Sequence, residues 1–173
     1  MNIIQTYEDL LKGKIKRFPK GTWSDNKEEN KRLFKLLIRH AILHIIKWDK
    51  ENFCLKFCLK VIIKLKLNTG FYKTYNRNIF PLIEECFPEF QLQPWELKIV
   101  HAPKNYWTIE KAILATKWLI TKVLKWDLER VKKEITNIHF IENNLGGLLK
   151  CLNLGAKALV KETYSSHNWV IKE

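Results

Sequence analysis

The helical character of the sequence is clearest in the run Thr108-Ile-Glu-Lys-Ala-Ile-Leu-Ala-Thr-Lys-Trp-Leu-Ile-Thr-Lys-Val-Leu-Lys-Trp-Asp127. From Ile109 to Leu124 its apolar residues recur at intervals of three and four positions, which is the period of one face of an α-helix. Thr108 stands where an N-cap residue would accept a hydrogen bond from the first turn. The run therefore predicts a helix that begins after Thr108 and ends at the Lys-Trp-Asp triplet.

This triplet occurs twice in the chain, as Lys47-Trp48-Asp49 and as Lys125-Trp126-Asp127, with an offset of 78 residues. Each aspartate stands where it can cap a following helix. Other matches occur in the same order: Ile15–Ser24 with Ile99–Thr108; Gly70, Leu82, Ile83, Glu85 and Phe87 with Gly147, Leu159, Val160, Glu162 and Tyr164; and Trp95 with Trp169. Matches that recur in order indicate an internal repeat.

The repeat predicts an N-terminal segment, 1–14, a first helical unit, 15–97, and a second helical unit, 98–173. In each unit we expect a helix, the Lys-Trp-Asp triplet, a second helix, a glycine-centred turn, a third helix and a closing Trp. The residues that join the units include no flexible Gly/Ser stretch, so we expect the units to pack against each other. The predicted fold class is all-α, with two tandem diverged helical repeats packed together.

Further helices are predicted from periodicity, caps, and glycine or proline stops. In the first unit they cover about 30–46, about 51–65, and a segment from near Pro81 to near Phe87. In the second unit they cover about 128–135, about 139–152 with an interruption or a bend near Gly146-Gly147, and about 156–164. Only six glycines and five prolines argue against a turn-rich β-fold.

The chain carries a formal net charge of +13, from 31 Lys and Arg against 18 Asp and Glu. Such a field concentrates polyanions near the protein. Only five of the basic residues are arginine, the residue that most often grips phosphates and bases in a fork. The charge is therefore compatible with nucleic-acid binding and also with a solvated lysine-rich surface.

The sequence has no apolar run of the roughly 18–20 residues that a membrane-spanning helix needs. Residues 1–20 also lack the apolar core of a signal peptide. We therefore expect a cytoplasmic protein with no membrane partner, in which Cys54, Cys58, Cys86 and Cys151 are reduced thiols.

Basic residues cluster at several places that could contact nucleic acid. A dense group opens the first unit, a series of lysines four residues apart follows one predicted helix, and Trp118 stands among lysines, where its ring could stack on a base. The alternatives are a solvated lysine face and burial of Trp118 against the other unit. The predicted nucleic-acid-binding residues are Lys14, Lys16, Arg17, Lys20, Lys56, Lys60, Lys64, Lys104, Lys111, Trp118 and Lys122.

The short predicted helix after Asp127 and the helix that follows it could form a helix-turn-helix. Asn143 and Asn144 would then lie near the start or middle of a reading helix, where asparagine can pair with adenine. The alternative is that Gly146-Gly147 allows two helices to pack closely, with no role in recognition.

His40, His44, Cys54 and Cys58 are the candidates for a metal site. The spacing of four places each pair on one helix face, and these residue types bind zinc. The alternative is that the cysteines are core thiols and the histidines flank an apolar stripe. The second unit has no histidine at the equivalent positions, so the repeat does not require a metal. We expect neither a metal nor a cofactor.

Catalytic motifs are not evident in the sequence. Glu84 and Glu85 are neighbours in a predicted helix and would point to different faces, and no glycine-rich phosphate loop or nucleophile motif occurs. We therefore predict that the protein is not an enzyme. Aromatic residues such as Phe71, Tyr72 and Tyr75 could fill the core or contact a partner protein.

The runs Leu10-Leu-Lys-Gly-Lys-Ile-Lys-Arg-Phe-Pro-Lys-Gly-Thr-Trp23 and Asn143-Asn-Leu-Gly-Gly-Leu-Leu149 resemble an uncharacterised tandem-repeat family of Gram-positive bacteria and their phages. That family is similar to the repeats attached to some homing endonucleases. The resemblance implies an accessory DNA-binding or targeting role, often on mobile elements.

The function we expect is that of a non-enzymatic accessory protein that binds nucleic acid, DNA rather than RNA, and double-stranded DNA in particular. The alternative is a phage-type inhibitor or adaptor that binds a host or defence protein.

Overall fold

The computed structural model describes residues 2–100, 102 and 105–165, and every regular element in those residues is a helix. The predicted all-α class is therefore confirmed for this part of the chain. The chain divides into two compact units, Met1–Ile99 and Val100–Glu173. No helix in the described residues is long and apolar enough to cross a membrane.

The described part of the first unit, 2–99, contains six α-helices. They are α1 (Ile3–Leu11), α2 (Lys27–Arg39), α3 (Lys50–Lys56), α4 (Leu59–Lys64), α5 (Asn68–Tyr75) and α6 (Ile79–Cys86). A π-helical segment, His40–Ile45, continues α2, and the short 3-10 turns Pro88–Phe90 and Pro94–Glu96 follow α6.

The described part of the second unit contains five α-helices. They are α7 (Ile109–Trp118), α8 (Leu128–Glu134), α9 (Asn137–Glu142), α10 (Gly146–Leu152) and α11 (Ala156–Ser165). A π-helical segment, Leu119–Leu124, continues α7 as the other continues α2. The element order from α7 to α11 therefore matches the order from α2 to α6.

The Lys-Trp-Asp triplets end one helix and start the next. Lys47 and Lys125 adopt the left-handed conformation, with φ of 58° and 52°, which stops the preceding π-helical segment. Asp49 then caps α3 by accepting from the backbone N–H of Asn52 at 2.8 Å. Asp127 likewise caps α8 through Arg130, also at 2.8 Å. Because each of these contacts is local, the sequence could predict them.

Two predicted helices are each divided in the structure. The predicted helix 51–65 is α3 and α4, because the chain is extended at Phe57 (ψ 125°) and Cys58 (φ −162°, ψ 177°). The predicted helix 139–152, for which the sequence predicts an interruption or a bend near Gly146-Gly147, is α9 and α10. It is interrupted just before these glycines, where Asn144 is left-handed. The predicted glycine-centred turn is also wrong, because Gly70 lies inside α5.

The core of the first unit is aromatic. Phe34 on α2 is fully buried, and its ring contacts those of Trp23, Phe71 and Tyr75, with centroids 6.5, 6.1 and 5.6 Å away. This cluster joins the loop before α2 to α5. In the second unit α7 packs against α11, and the buried residues of these two helices include Ala112, Ala115, Leu159 and Val160.

Helix α1 packs in the first unit through Tyr7. Its ring is fully buried, and its hydroxyl donates to the backbone carbonyl of Leu65 at 2.9 Å. Phe18 stacks on the same ring with centroids 5.9 Å apart. The basic loop that contains Phe18 is thereby held next to the residues between α4 and α5.

Glu8 on α1 makes the stability of the first unit depend on pH. Lys12 Nζ donates to its Oε2 at 3.0 Å, and His40 Nε2 lies 3.0 Å from its Oε1. These contacts, Lys12 first, lower the pKa of the Glu8 carboxyl. The carboxylate therefore stabilises the fold above its unfolded pKa of about 4.3, and this contribution is lost as the pH falls through the lower folded pKa.

Glu8→Gln is accordingly expected to narrow the difference between the urea midpoints measured at about pH 6 and about pH 3. The control is Glu142→Gln, which removes an exposed carboxylate from the second unit and should leave that difference unchanged. An unchanged difference in the Glu8 variant would contradict the prediction.

A candidate nucleic-acid interface

Loop residues 12–20, between α1 and α2, carry a dense group of exposed positive charges. Their cations are Lys12, Lys14, Lys16, Arg17 and Lys20, and all five are exposed. No acidic residue occurs between Asp9 and Asp25. The loop is therefore a local source of positive potential on the first unit.

This loop forms one wall of a cleft of about 550 Å³, which we call the basic cleft. The opposite wall comes from the end of α4, the residues that follow it, and the exposed side of α5. The charged side chains that line the basic cleft are Lys16, Arg17, Lys66 and Lys73, and no lining residue is acidic. Four cations thus converge from parts of the sequence about 50 residues apart.

The sequence contains a signal for this convergence that a search for basic clusters alone misses. Residues 10–24 hold five cations and residues 52–83 hold six, and neither stretch contains an Asp or Glu. The fold places these two acid-free stretches on the two walls of the basic cleft. Lys66 and Lys73 were not predicted as site residues, yet both line the cleft.

Contacts within the segment before α2, and between that segment and α5, fix the loop. Within the segment, the Phe18 ring meets the edge of Trp23 with centroids 5.7 Å apart. Lys73 Nζ is 3.2 Å from the carbonyl of Trp23 and 3.1 Å from the carbonyl of Ser24, and it forms an ion pair with Asp25 at 3.5 Å. Lys73 therefore positions the wall of the basic cleft. Its positive charge is partly balanced by Asp25 and by the two loop carbonyls.

A neighbouring cleft, of about 620 Å³, shares Arg17, Phe18 and Pro19 with the basic cleft and is less basic. Asp9 lines it together with Arg17 and Lys20. Lys14 pairs with Asp9 at 3.0 Å, and this hydrogen bond is the main cause of the lowered pKa of the Asp9 carboxyl. The charge of Lys14 is therefore partly balanced by Asp9. Lys16 and Arg17 line the basic cleft, whose lining includes no acidic residue.

The predicted lysine stripe does not follow one helix. Lys56 lies on α3, and its Nζ donates to Asn52 Oδ1 at 2.7 Å and lies 6.0 Å from the centre of the Trp48 ring. Lys60 and Lys64 are exposed on α4. Because the chain is extended at 57–58, the spacing of four residues does not place the three lysines on a common helix face.

The predicted residues of the second unit lie along α7 and its extension. Lys111 is half-buried, with its Nζ 3.9 Å from the centre of the Tyr106 ring. Trp118, the last residue of α7, is half-buried, and Lys122 is exposed in the π-helical segment. Lys104, like Trp169 of the repeat pattern, lies outside the described residues.

Asn143 and Asn144 are not on a reading helix. They lie between α9 and α10, and each side-chain amide donates to a backbone carbonyl at 2.7 Å, that of His139 for Asn143 and that of Val100 for Asn144. The amides thereby stabilise the chain reversal. Their predicted role in pairing with adenine is replaced by this structural one.

The four metal candidates do not form a metal site among the described residues, in which no group of three or more metal-binding side chains occurs. His40 contacts the Glu8 carboxylate, and its ring lies 5.6 Å from that of His44. Burial raises the pKa of the Cys54 thiol to about 11. This opposes the thiolate form that zinc requires. Cys58, outside the helices, is half-buried.

Comparison with known proteins identifies one family. Residues 3–92, slightly more than half of the 173-residue chain, match a family of proteins of unknown function. This range includes α1 to α6 and both walls of the basic cleft. No curated protein and no solved structure matches the chain.

Proposed function

The chain belongs to the DUF4046 family of proteins of unknown function, and we propose that it is a non-enzymatic protein that binds double-stranded DNA through the basic cleft of its first unit. The observation that carries this proposal is the meeting of two acid-free, lysine-rich stretches on the walls of one cleft. Phosphate groups supply the negative charge that such a cleft attracts.

The chemistry of the cleft favours phosphate contacts over a small-molecule site. Three of its four lining cations, Lys16, Arg17 and Lys66, are exposed and lie in loops, so that they can follow a charged backbone. Lysine contributes mainly a point charge, which suits binding that depends on the backbone more than on sequence. We propose in addition that the protein is cytoplasmic and is an accessory factor of a bacterium or mobile element.

Fluorescence anisotropy with a labelled random-sequence duplex tests the proposal. We expect a dissociation constant of about 1 µM or lower at about 50 mM salt and a loss of orders of magnitude at about 200 mM, because counterions are released on binding. No binding at the lower salt would reject the proposal for duplex DNA. Single-stranded DNA and RNA competitors would then show whether another nucleic acid binds.

Neutralising the basic cleft should weaken this binding. The variant carries Lys16→Gln, Arg17→Gln and Lys66→Gln, and we expect at least a tenfold loss of affinity at about 50 mM salt and a salt slope smaller by roughly 0.9 for each lost phosphate contact. The charge-matched control carries Lys27→Gln, Arg32→Gln and Lys35→Gln, which are exposed residues of α2 that do not line the cleft. Equal losses in both variants would mean that net charge, and not the cleft, determines binding.

A second candidate function is that of an inhibitor or adaptor that binds another protein. It is favoured by Ile138 and Ile141, which are three positions apart on α9 and 59% and 61% exposed. Neighbouring apolar side chains on one helix face are a feature of protein interfaces. Affinity capture with the wild-type protein, and with an Ile138→Ser, Ile141→Ser double variant as the negative control, tests this candidate. A partner that the wild-type protein and the variant retain equally would not bind through α9.

A further inference from the structure

Helices α4 and α5 form a pair joined by only three residues, 65–67. Leu65 and Leu67 are buried, whereas Lys66 between them is exposed and left-handed, with φ of 58°. Two helices joined by a turn of three or four residues are the elements of a helix-turn-helix, in which the second helix contacts base edges. This pair was not predicted, because 51–65 reads as one continuous helix.

The turn is held in place by contacts on several sides. Tyr7 donates to the carbonyl of Leu65, and the backbone N–H of Leu67 donates to the carbonyl of Ile62 at 3.1 Å. Phe71 and Tyr75 anchor the inner side of α5 in the core next to α2. The outer side of α5 is therefore presented on a rigid support, which recognition of base edges requires.

The outer side of α5 carries polar and aromatic groups. Thr69, Tyr72 and Lys73 lie at helix spacing on α5, and Asn76 is the left-handed residue that ends it; all four are exposed, Tyr72 by 58%. Lys73 is held by the loop carbonyls and Asp25, so Thr69, Tyr72 and Asn76 remain for contact with a ligand. Asparagine and threonine side chains offer the hydrogen-bonding groups that match base edges in the major groove.

Cations lie at both ends of this helix. Lys66 precedes α5, and Arg77 follows it, with the guanidinium carbon 5.5 Å from the centre of the Tyr72 ring. No acidic residue occurs in 52–83, so nothing in that stretch repels a phosphate backbone. The surface is therefore complementary in charge to a nucleic acid that crosses it. An acidic protein partner has no base edges with which the side chains of Thr69, Tyr72 and Asn76 could interact.

We propose that α5 reads base edges in the major groove of double-stranded DNA, with Thr69, Tyr72 and Asn76 as the contacting residues and Lys66 and Arg77 on flanking phosphates. This rests on the proposed function, which it deepens: the cleft supplies affinity for any duplex, and the outer side of α5 adds preference for certain base pairs. Phosphate contacts position a protein on DNA, whereas contacts to base edges specify sequence.

Selection from a random duplex library, followed by anisotropy on the selected and on a scrambled duplex, tests this inference. We expect the wild-type protein to enrich a motif and to bind it at least about tenfold more tightly than the scrambled duplex, since each good base contact discriminates by roughly fivefold or more and several are proposed. Tyr72→Ala and Asn76→Gly should each reduce this ratio severalfold while leaving binding to the scrambled duplex nearly unchanged.

Asn153→Gly is the matched control. Asn76 and Asn153 both end their helix in the left-handed conformation, with φ of 46° and 52°, and both are exposed. Glycine tolerates that conformation, so both substitutions should preserve the fold. We expect the Asn153 variant to keep the wild-type sequence preference.

The outcomes separate this inference from the proposed function. Duplex binding without an enriched motif would overturn the reading role of α5 and leave the cleft proposal intact. An enriched motif that persists in both α5 variants would also overturn it and place the reader elsewhere. Absence of duplex binding in the wild-type protein would overturn both proposals, and a bound protein in place of DNA would assign this surface to protein docking.

Discussion

Replacing Phe34 with alanine is expected to lower the free energy of unfolding of the first unit by about 3–5 kcal/mol. The ring is fully buried and lies between the aromatic rings of Trp23, Phe71 and Tyr75. Its removal withdraws apolar surface from the core and leaves a cavity that three large, fixed rings cannot readily fill. The loss should therefore lie in the upper part of the usual range for a core substitution.

Urea denaturation followed by far-ultraviolet circular dichroism measures this loss, and hydrogen exchange of the α2 and α5 amides assigns it to the first unit. Leu36→Ala is the control, because Leu36 lies on the same helix but is 47% exposed. We expect the control to cost less than about 1 kcal/mol. Equal effects of the two substitutions would show that the ring cluster is not the core of this unit.

A single added methyl group at Gly70 is expected to destabilise the first unit by about 1–3 kcal/mol or more. A β-carbon on Gly70 would lie 2.3, 2.6 and 2.7 Å from three carbon atoms of the Trp23 indole. These distances are far below van der Waals contact, so Gly70→Ala must displace the indole. The indole contacts the rings of Phe18 and Phe34, so we expect its displacement to disturb the loop that forms the basic cleft.

The second unit provides the matched control. A β-carbon on Gly147 would lie 3.8 Å from Trp107 Nε1, which is ordinary contact. Gly147 lies in α10, where alanine is favoured over glycine, so Gly147→Ala should be neutral or stabilise by up to about 1 kcal/mol. Urea denaturation of both variants measures the contrast. We further expect Gly70→Ala to weaken duplex binding, because the displaced Trp23 lines the cleft.

The starts of α3, α7 and α8 were predictable, because the contacts that set them are local. Thr108 caps α7 through the N–H of Lys111 at 3.4 Å, and Asp49 and Asp127 cap α3 and α8 through residues three positions ahead. A side chain that acts on its own helix turn can be recognised without knowledge of the rest of the fold.

The helix interruption at Phe57 could not be recognised in that way. Apolar residues continue at helical spacing through 51–65, so the local pattern favours one helix. In the structure the Phe57 ring stacks on Phe53, with centroids 4.2 Å apart, and meets Phe87 at 6.5 Å. The packing around the extended residue thus includes Phe87, which is distant in sequence.

The candidate site likewise contains residues that a local pattern predicts and residues that only the fold brings to it. Lys16, Arg17 and Lys20 were evident as a local cluster, and Lys60 and Lys64 as part of a spacing pattern. Lys66 belongs to neither pattern, and its only signal is the absence of acidic residues from 52–83. It stands in a turn whose position depends on Tyr7 and on the break between α3 and α4. Its place opposite the basic loop follows from packing and not from spacing.

The sequence by itself determined the helical class, the caps and the excess of positive charge, because periodicity, capping and composition act over a few residues or over the whole chain. Only the tertiary structure decided that the acid-free stretches 10–24 and 52–83 face each other across a cleft. It also decided that Gly70, inside α5, leaves the space that the indole of Trp23 occupies. Both depend on contacts between residues about 50 positions apart, and such contacts form only when the core brings separate helices together.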